Sequence, residues 1–238
     1  MARTGDIACW RDDCEVRSFC DECIHRDKPS GLPALTFEVS PEDFDPQETL
    51  LCVRPVEAGE QVIIGLGNPD AKYAGTPHNV GYEVVDHLAV SAGLNWDESP
   101  GAWIARGKLE GHQVCLVKIR MAMNLIGGGL KRLAERMAIE PEQCILIFDD
   151  LDMPLGSVRS RQSGGAGGHR GVASILEAFQ TDAFRRVKIG VDQEGAKLNR
   201  VDYVLTPFPT ASREIVEQAL QTAETHVLKL FAAWPKVP

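Results

Sequence analysis

Cys144-Ile145-Leu146-Ile147-Phe148 runs without a break into Asp149-Asp150-Leu151-Asp152, and Val62-Ile63-Ile64-Gly65-Leu66 runs into Gly67-Asn68-Pro69-Asp70. Each is a short apolar run that stops abruptly at polar and turn residues. That is the pattern of a strand covered on both faces. Between and beyond these two runs the period changes to that of helices. Tyr82, Val85, Leu88 and Ala89 recur at helical spacing, which predicts an amphipathic helix over 79–92. Residues 103–109 and 114–118 flank Glu110-Gly111-His112 as the arms of a hairpin. A second helix is predicted over 125–137, a short extended piece over 158–161, a glycine loop over 163–168 and a helix over 171–179. Residues 187–191 and 203–205 read as further strands. A long final helix over 212–233 carries Ile215, Ala219, Ala223, His226, Val227 and Leu230 on one stripe. Alternation of this kind predicts an α/β fold with a single, mostly parallel, twisted sheet covered by helices on both faces. Its ligand site is expected beyond the carboxyl ends of the strands.

The composition agrees with a globular chain. Of 238 residues 44% are hydrophobic and 25% charged, which excludes a disordered chain or a fibre. No run approaches the roughly 18 apolar residues of a membrane span, and no signal-peptide core follows Met1. A cytoplasmic location, with no membrane association and with thiols mostly free, is therefore expected. The acidity is concentrated at one end. Residues 1–60 hold six Lys/Arg against fourteen Asp/Glu, whereas residues 61–238 are nearly balanced, nineteen against twenty. Residues 1–60 thus read as an acidic, partly irregular extension, and 61–238 as the α/β domain. A proline-punctuated stretch over 27–59 reads as linker or arm. Cys9, Cys14, Cys20 and Cys23, with His25 just beyond, leave two readings open: a zinc site built on Cys20-x2-Cys23, or reduced thiols on an acidic arm. Cys52, Cys115 and Cys144 lie in apolar contexts and read as core thiols.

Two strand ends carry the groups that could do chemistry. The first delivers Asn68 and, ten residues later, His78; the second delivers Asp149 and Asp152. An imidazole can hold a proton near neutral pH, and a carboxylate beside it can fix its tautomer or orient a water. Together they point to a hydrolase that uses neither a metal nor a covalent intermediate. For His78 alone, a histidine that merely hydrogen-bonds backbone at a helix entry is the competing explanation. Gly65-Leu66-Gly67-Asn68-Pro69-Asp70 follows a strand, yet Asp70 stands where a dinucleotide fingerprint needs its third glycine, and a pyrophosphate would meet a carboxylate there. No phosphate-binding G-x-x-x-x-G-K-[ST] occurs, so no nucleotide cofactor is expected, nor any other cofactor.

Ser163-Gly164-Gly165-Ala166-Gly167-Gly168-His169-Arg170-Gly171 is either a long flexible loop or a surface that lets an extended substrate approach closely. Arg159, Arg161, Arg185, Arg186 and Lys188 surround it in the densest cationic region of the chain. Two cations on adjacent strands could grip one phosphate, and in that way an acidic protein could still bind RNA.

Gly65-Leu66-Gly67-Asn68-Pro69, then Tyr73 with Thr76-Pro77-His78-Asn79-Val80-Gly81, then Met123-Asn124-Leu125, then Asp149-Asp150-Leu151-Asp152-Met153-Pro154-Leu155-Gly156, and finally Gly167-Gly168-His169-x-Gly171 follow one another in order. From about Gln61 to about Phe231 this series strongly resembles the bacterial-type peptidyl-tRNA hydrolases. The resemblance implies that family's fold, and hydrolysis of the ester joining a peptide to the terminal ribose of a transfer RNA. It implies His78 as the base that activates water and Asp149 as the carboxylate assisting it. Asn68, Tyr73, Asn124 and Arg170 are implied as substrate-binding residues, and Arg161 and Lys188 as the grip on the transfer RNA 5′ phosphate. Peptidyl-tRNA is the implied partner, and a monomer is expected.

The chain departs from the family pattern around these residues. Arg170 replaces the asparagine that follows Gly-Gly-His, Pro77 stands where arginine is usual and Asp70 where glycine is usual. Ile119, Met121 and Ala122 occupy a stretch that in the family carries proline, threonine and an aromatic, and Ile126 replaces a small polar residue. A long cation cannot reproduce the donor and acceptor pair of an amide. The alternative to a hydrolase is therefore an RNA-binding protein of the same fold with weakened chemistry.

Overall fold

The computed structural model describes residues 54–99, 101–193 and 199–232. The cysteines at 9, 14, 20, 23 and 52, with most of the arm before Arg54, lie outside the described residues. Strand β1, Gln61–Gly65, is buried along its whole length, and it sits at the centre of a seven-stranded sheet. The other strands are β2 (Asp97–Ser99), β3 (Ala102–Leu109), β4 (His112–Ile119), β5 (Cys144–Pro154), β6 (Val158–Arg161) and β7 (Arg185–Asp192), in the spatial order β2-β3-β4-β1-β5-β7-β6. The pairs β4–β1, β1–β5 and β5–β7 are parallel, while β2–β3, β3–β4 and β6–β7 are antiparallel. The sheet is therefore mixed, with a parallel centre and antiparallel edges.

The continuous apolar runs of β1 and β5 are explained by a core on each face. Ile63, Ile145 and Ile147 point to one side, among residues of α1 (Val80–Ser91) and α5 (Arg213–Ala232). Val62, Ile64, Cys144, Leu146 and Phe148 point to the other, among residues of α2 (Ile126–Met137) and α3 (Arg170–Phe179). Side chains alternate across a strand, so two-sided cover demands an apolar residue at every position. Cys115 and Cys144 are buried, free thiols, as expected, and burial pushes the Cys115 thiol up to about 12.

Two expectations change. Residues 203–205 form no strand; they are the last turn of the helix α4, Arg200–Leu205. Three apolar residues carry too little pattern to set a period. What decides is outside the run: the Asn199 side chain accepts the Asp202 N–H as an N-cap, and the Tyr203 hydroxyl donates to the Val191 carbonyl. On α5 the buried stripe passes through Val216, Ala219, Leu220, Ala223, Val227 and Leu230, and Ile215 remains 45% exposed.

The chain just before β1 is tied to the domain. The Val56 N–H donates to the Met137 carbonyl at 2.7 Å, and Arg106 on β3 donates to the carbonyls of Arg54 and Pro55 and to the buried Glu60 carboxylate at 3.1 Å. No described helix is long and apolar enough to cross a membrane.

Candidate functional site

Past the end of β1 the chain turns through Gly67 and Asn68, and a 3-10 turn, Pro77–Asn79, leads into α1. Pro77 takes the first position of that turn, where its fixed φ fits and no N–H is required. Asn79 fastens the two segments together. Its carbonyl oxygen accepts the Asn68 backbone N–H at 2.9 Å, and its NH2 donates to the Asn68 backbone carbonyl at 3.0 Å. His78 is thereby held over the end of β5, where its Nδ1 lies 2.8 Å from Oδ1 of Asp149.

Asp149 is 2% exposed and accepts a second imidazole: Nε2 of His169 lies 2.9 Å from the same oxygen. His169 caps α3, its Nδ1 accepting the Val172 N–H at 3.2 Å. Its ring stands 4.9 Å from that of His78 and 5.1 Å from that of Phe148. Burial alone would raise the Asp149 carboxyl. The positive charge that His169 and His78 carry when protonated, together with their hydrogen bonds, outweighs it, and holds the group well below the usual carboxylate range. An ionised carboxylate can only accept, so both nitrogens facing it carry protons. For neutral His78 this leaves Nε2 as the acceptor, turned away from the carboxylate.

These groups line a cavity of about 270 Å3. Around it stand Asn68, Tyr73, His78, Asn124, Asp149 and Arg170 from the residues singled out in the sequence, together with residues 166–169 of the glycine loop. The Asn68 carbonyl oxygen accepts the Met123 N–H at 3.0 Å, so its NH2 is the end free to meet a ligand. Asn124 lies in the 3-10 turn Met123–Leu125, and its amide has no partner among the described residues. This turn packs tightly on α3: a Cβ on Gly171 would stand 2.3 Å from Sδ of Met123, so any larger residue there would have to displace that methionine side chain. Tyr73 is half-buried in the turn Ala71–Tyr73, with the Lys72 ammonium 4.9 Å from its ring centre.

The two cations proposed as a phosphate grip share one face of the sheet edge, but they are not register partners. Arg161 on β6 faces Arg186 on β7, and Lys188 faces Arg159. The Lys188 ammonium is held by Asp150 at 2.8 Å, whereas Arg161 is exposed and, among the described residues, donates only to the Ser160 carbonyl. Asp152 lies outside the cavity lining and pairs with Arg200.

Of the departures, Pro77 is bonded directly to His78, and the others stand around the His78–Asp149 pair outside its hydrogen bonds. Asp70 is exposed and pairs with Lys72 at 3.0 Å. Ile119 and Ile126 are buried, and Met121 packs against Gly129 and Arg132. Ala122 and Arg170 alone among them line the cavity.

His169 was not identified as a functional residue from sequence, although it stands in the quoted Gly-Gly-His stretch at a helix start. The wall formed by Arg200, Val201, Val204 and Leu205 was also missed, because its helix read as a strand. Ligand atoms of His78, Asp149 and His169 lie within 4.8 Å of one another, close enough for one ion. An ion there would have to displace both imidazole hydrogen bonds to the carboxylate.

A family model described as peptidyl-tRNA hydrolase matches residues 62–236. The peptidyl-tRNA hydrolase of Thermodesulfovibrio yellowstonii is 39% identical over 172 residues, covering 71% of this chain and 91% of that protein. That of Brevibacillus brevis is 37% identical over 164 residues, covering 68% and 87%. Among solved structures, the crystal structure of peptidyl-tRNA hydrolase from Acinetobacter baumannii superposes with a TM-score of 0.68 at 32% identity, covering 74% of this chain and 90% of that one.

Proposed function

The chain belongs to the peptidyl-tRNA hydrolase family and has peptidyl-tRNA hydrolase activity, and on that premise we propose that His78 and Asp149 perform the chemistry at the cavity floor. The single observation that carries this reading is the 2.8 Å contact between His78 Nδ1 and the buried Asp149 carboxylate. It orients the ring so that Nε2 can take a proton from water. The water oxygen then attacks the carbonyl carbon of the ester that joins peptide to ribose. As the tetrahedral intermediate forms, negative charge gathers on the former carbonyl oxygen, and the amide NH2 groups of Asn68 and Asn124 are the donors available to it. Collapse breaks the bond to the ribose oxygen, and the proton on His78 goes to that leaving group.

His169 supports the pair from behind, holding Asp149 ionised and fixed while spending both its own ring nitrogens. Tyr73 and Arg170 meet the substrate at the cavity mouth, and Arg161 and Lys188 receive the 5′ phosphate of the transfer RNA. A phosphate arriving at Lys188 shares it with Asp150, so Arg161 carries the larger part of this grip. A monomer is proposed, since every residue this reading uses lies on one chain. The chemistry needs no cofactor, and translation places such a substrate in the cytoplasm. The departures that favoured an RNA-binding protein with weakened chemistry leave the base, its carboxylate and both amides in place.

A single-turnover assay with peptidyl-tRNA tests the reading. His78→Ala is expected to slow peptide release by about 10²- to 10⁴-fold, the range of a lost general base, while transfer RNA binding is unchanged. Equal rates for the native chain and the variant would refute it.

A further inference from the structure

The cavity is lined by two kinds of surface. Ala122, Val201, Val204 and Leu205 are apolar, and Val201 leaves 46% of its surface exposed. The glycine loop offers bare backbone instead. Gly167 and Gly168 sit at φ 55° and 79°, a region that glycine enters without cost, and a Cβ on Gly168 would meet open space. Cations flank this backbone. Lys188 Nζ lies 3.8 Å from where a Gly167 Cβ would be, and Arg170 follows two residues after Gly168 at the cavity edge.

The cations that face the cavity region differ in how they are employed. Lys188 is bound to Asp150, and Arg200 is bound to Asp152. The Arg170 guanidinium has neither a carboxylate nor a hydrogen-bond acceptor among the described residues. It adjoins His169, which touches the carboxylate that holds His78. Among the described residues nothing employs this guanidinium, one residue from the catalytic cluster, which leaves it to the substrate.

Resting on the reading of the cavity given above, we propose that Arg170 is a specificity-determining residue that binds the internucleotide phosphate nearest the scissile ester. The peptide backbone carries no charge, whereas every nucleotide step of the acceptor strand carries a phosphate. A guanidinium presents paired N–H donors that match two phosphate oxygens, and a charge-assisted pair of this kind outweighs a neutral one. The side-chain-free loop lets the sugar-phosphate chain lie close to the protein between Lys188 and Arg170. The apolar surfaces remain for the peptide.

Two minimal substrates separate this role from others: a peptide esterified to adenosine, which has no phosphate, and the same peptide on a cytidylyl-adenosine dinucleotide, which has one. Each is also made with an amide in place of the ester, so that binding is read without cleavage. The native chain is expected to bind the dinucleotide amide about tenfold or more tighter than the adenosine amide, as one charge-assisted contact allows. Arg170→Ala should lose that advantage, Arg170→Lys should keep part of it, and all three should bind the adenosine form alike. The proposal is overturned if Arg170→Ala keeps the advantage or loses affinity equally for both forms. It is also overturned if the loss appears only with acidic peptides, which would mark a carboxylate-binding role. The ester forms report on the catalytic reading separately. A native chain that shows the binding contrast but cleaves neither ester would refute the assignment of His78 and leave Arg170 in its role.

Discussion

Lys118 and Asp149 are both enclosed charges on the strands that flank β1, and they come to opposite uses. Lys118, near the end of β4, is paired with Asp86 and stands 4.2 Å from the ring centre of Trp96 and 5.3 Å from that of Trp103. Asp149, on β5, is paired with two imidazoles and flanked by Phe148. Each charge is satisfied by an opposite or polar partner, as enclosed charges must be. At Lys118 the ammonium is taken up by Asp86 and the indole faces, and the result is a staple between the sheet and α1. At Asp149 one of the two imidazoles keeps a ring nitrogen that the cluster does not use, and a cavity stands in front of it. Satisfying a buried charge gives stability; a leftover donor or acceptor facing space gives chemistry.

The contrast can be broken at either end. The largest effect is expected at Asp149. Asp149→Asn removes the charge that fixes His78 and should lower the single-turnover rate by about 10²-fold or more, with transfer RNA affinity unchanged. A variant of near-native rate would mean that the ring is oriented by something else. His169→Ala should cost less, about tenfold in rate, because His78 keeps its carboxylate and only the support behind it is lost. The same substitution removes the α3 cap, which should lower the unfolding free energy by about 1 kcal/mol. Denaturant unfolding of the two proteins checks that half.

Lys118→Met is the converse test. It keeps the apolar stem but forfeits the ion pair and the cation–π contacts, at about 1–3 kcal/mol of stability, while peptide release should proceed at the native rate. A fall in rate at unchanged stability would place Lys118 in the reaction and erase the distinction. The smallest effect concerns acid. Asp149 has a folded-state pKa below its unfolded value, so its contribution is present above the unfolded value of about 3.9 and is lost as pH falls through the depressed folded one. The native chain should therefore lose more stability than Asp149→Asn as pH is lowered from about 5 to about 2. Urea midpoints across that range measure the difference, and parallel slopes would deny the linkage.

The central strands were legible because two-sided burial leaves a mark at every residue. Val62 to Leu66 and Cys144 to Phe148 have no other plausible reading in a chain of this composition. Residues 203–205 were not legible, since their helical state depends on the Asn199 cap and on a hydroxyl reaching Val191. Within the site, His78 and Asp149 could be picked out one by one from strand ends, but 71 positions separate them and only the parallel alignment of β1 with β5 brings them together. His169 was hidden for another reason. After Gly167-Gly168 a histidine reads as part of a loop, and its partner Asp149 lies twenty positions earlier on a different element. The employment of Lys188 by Asp150 was equally hidden, because it follows from the register that sets Phe148 against Lys188.

The account turns on which ring nitrogen of His78 is free. Long-range proton–nitrogen correlation spectra of the native chain at neutral pH, with His78 assigned by comparison with His78→Ala, read this directly. The account predicts a neutral ring protonated at Nδ1 and bare at Nε2, with that preference weakened in Asp149→Asn. A ring protonated at Nε2 would face the cavity as a donor, and would contradict the claim that this histidine is the base.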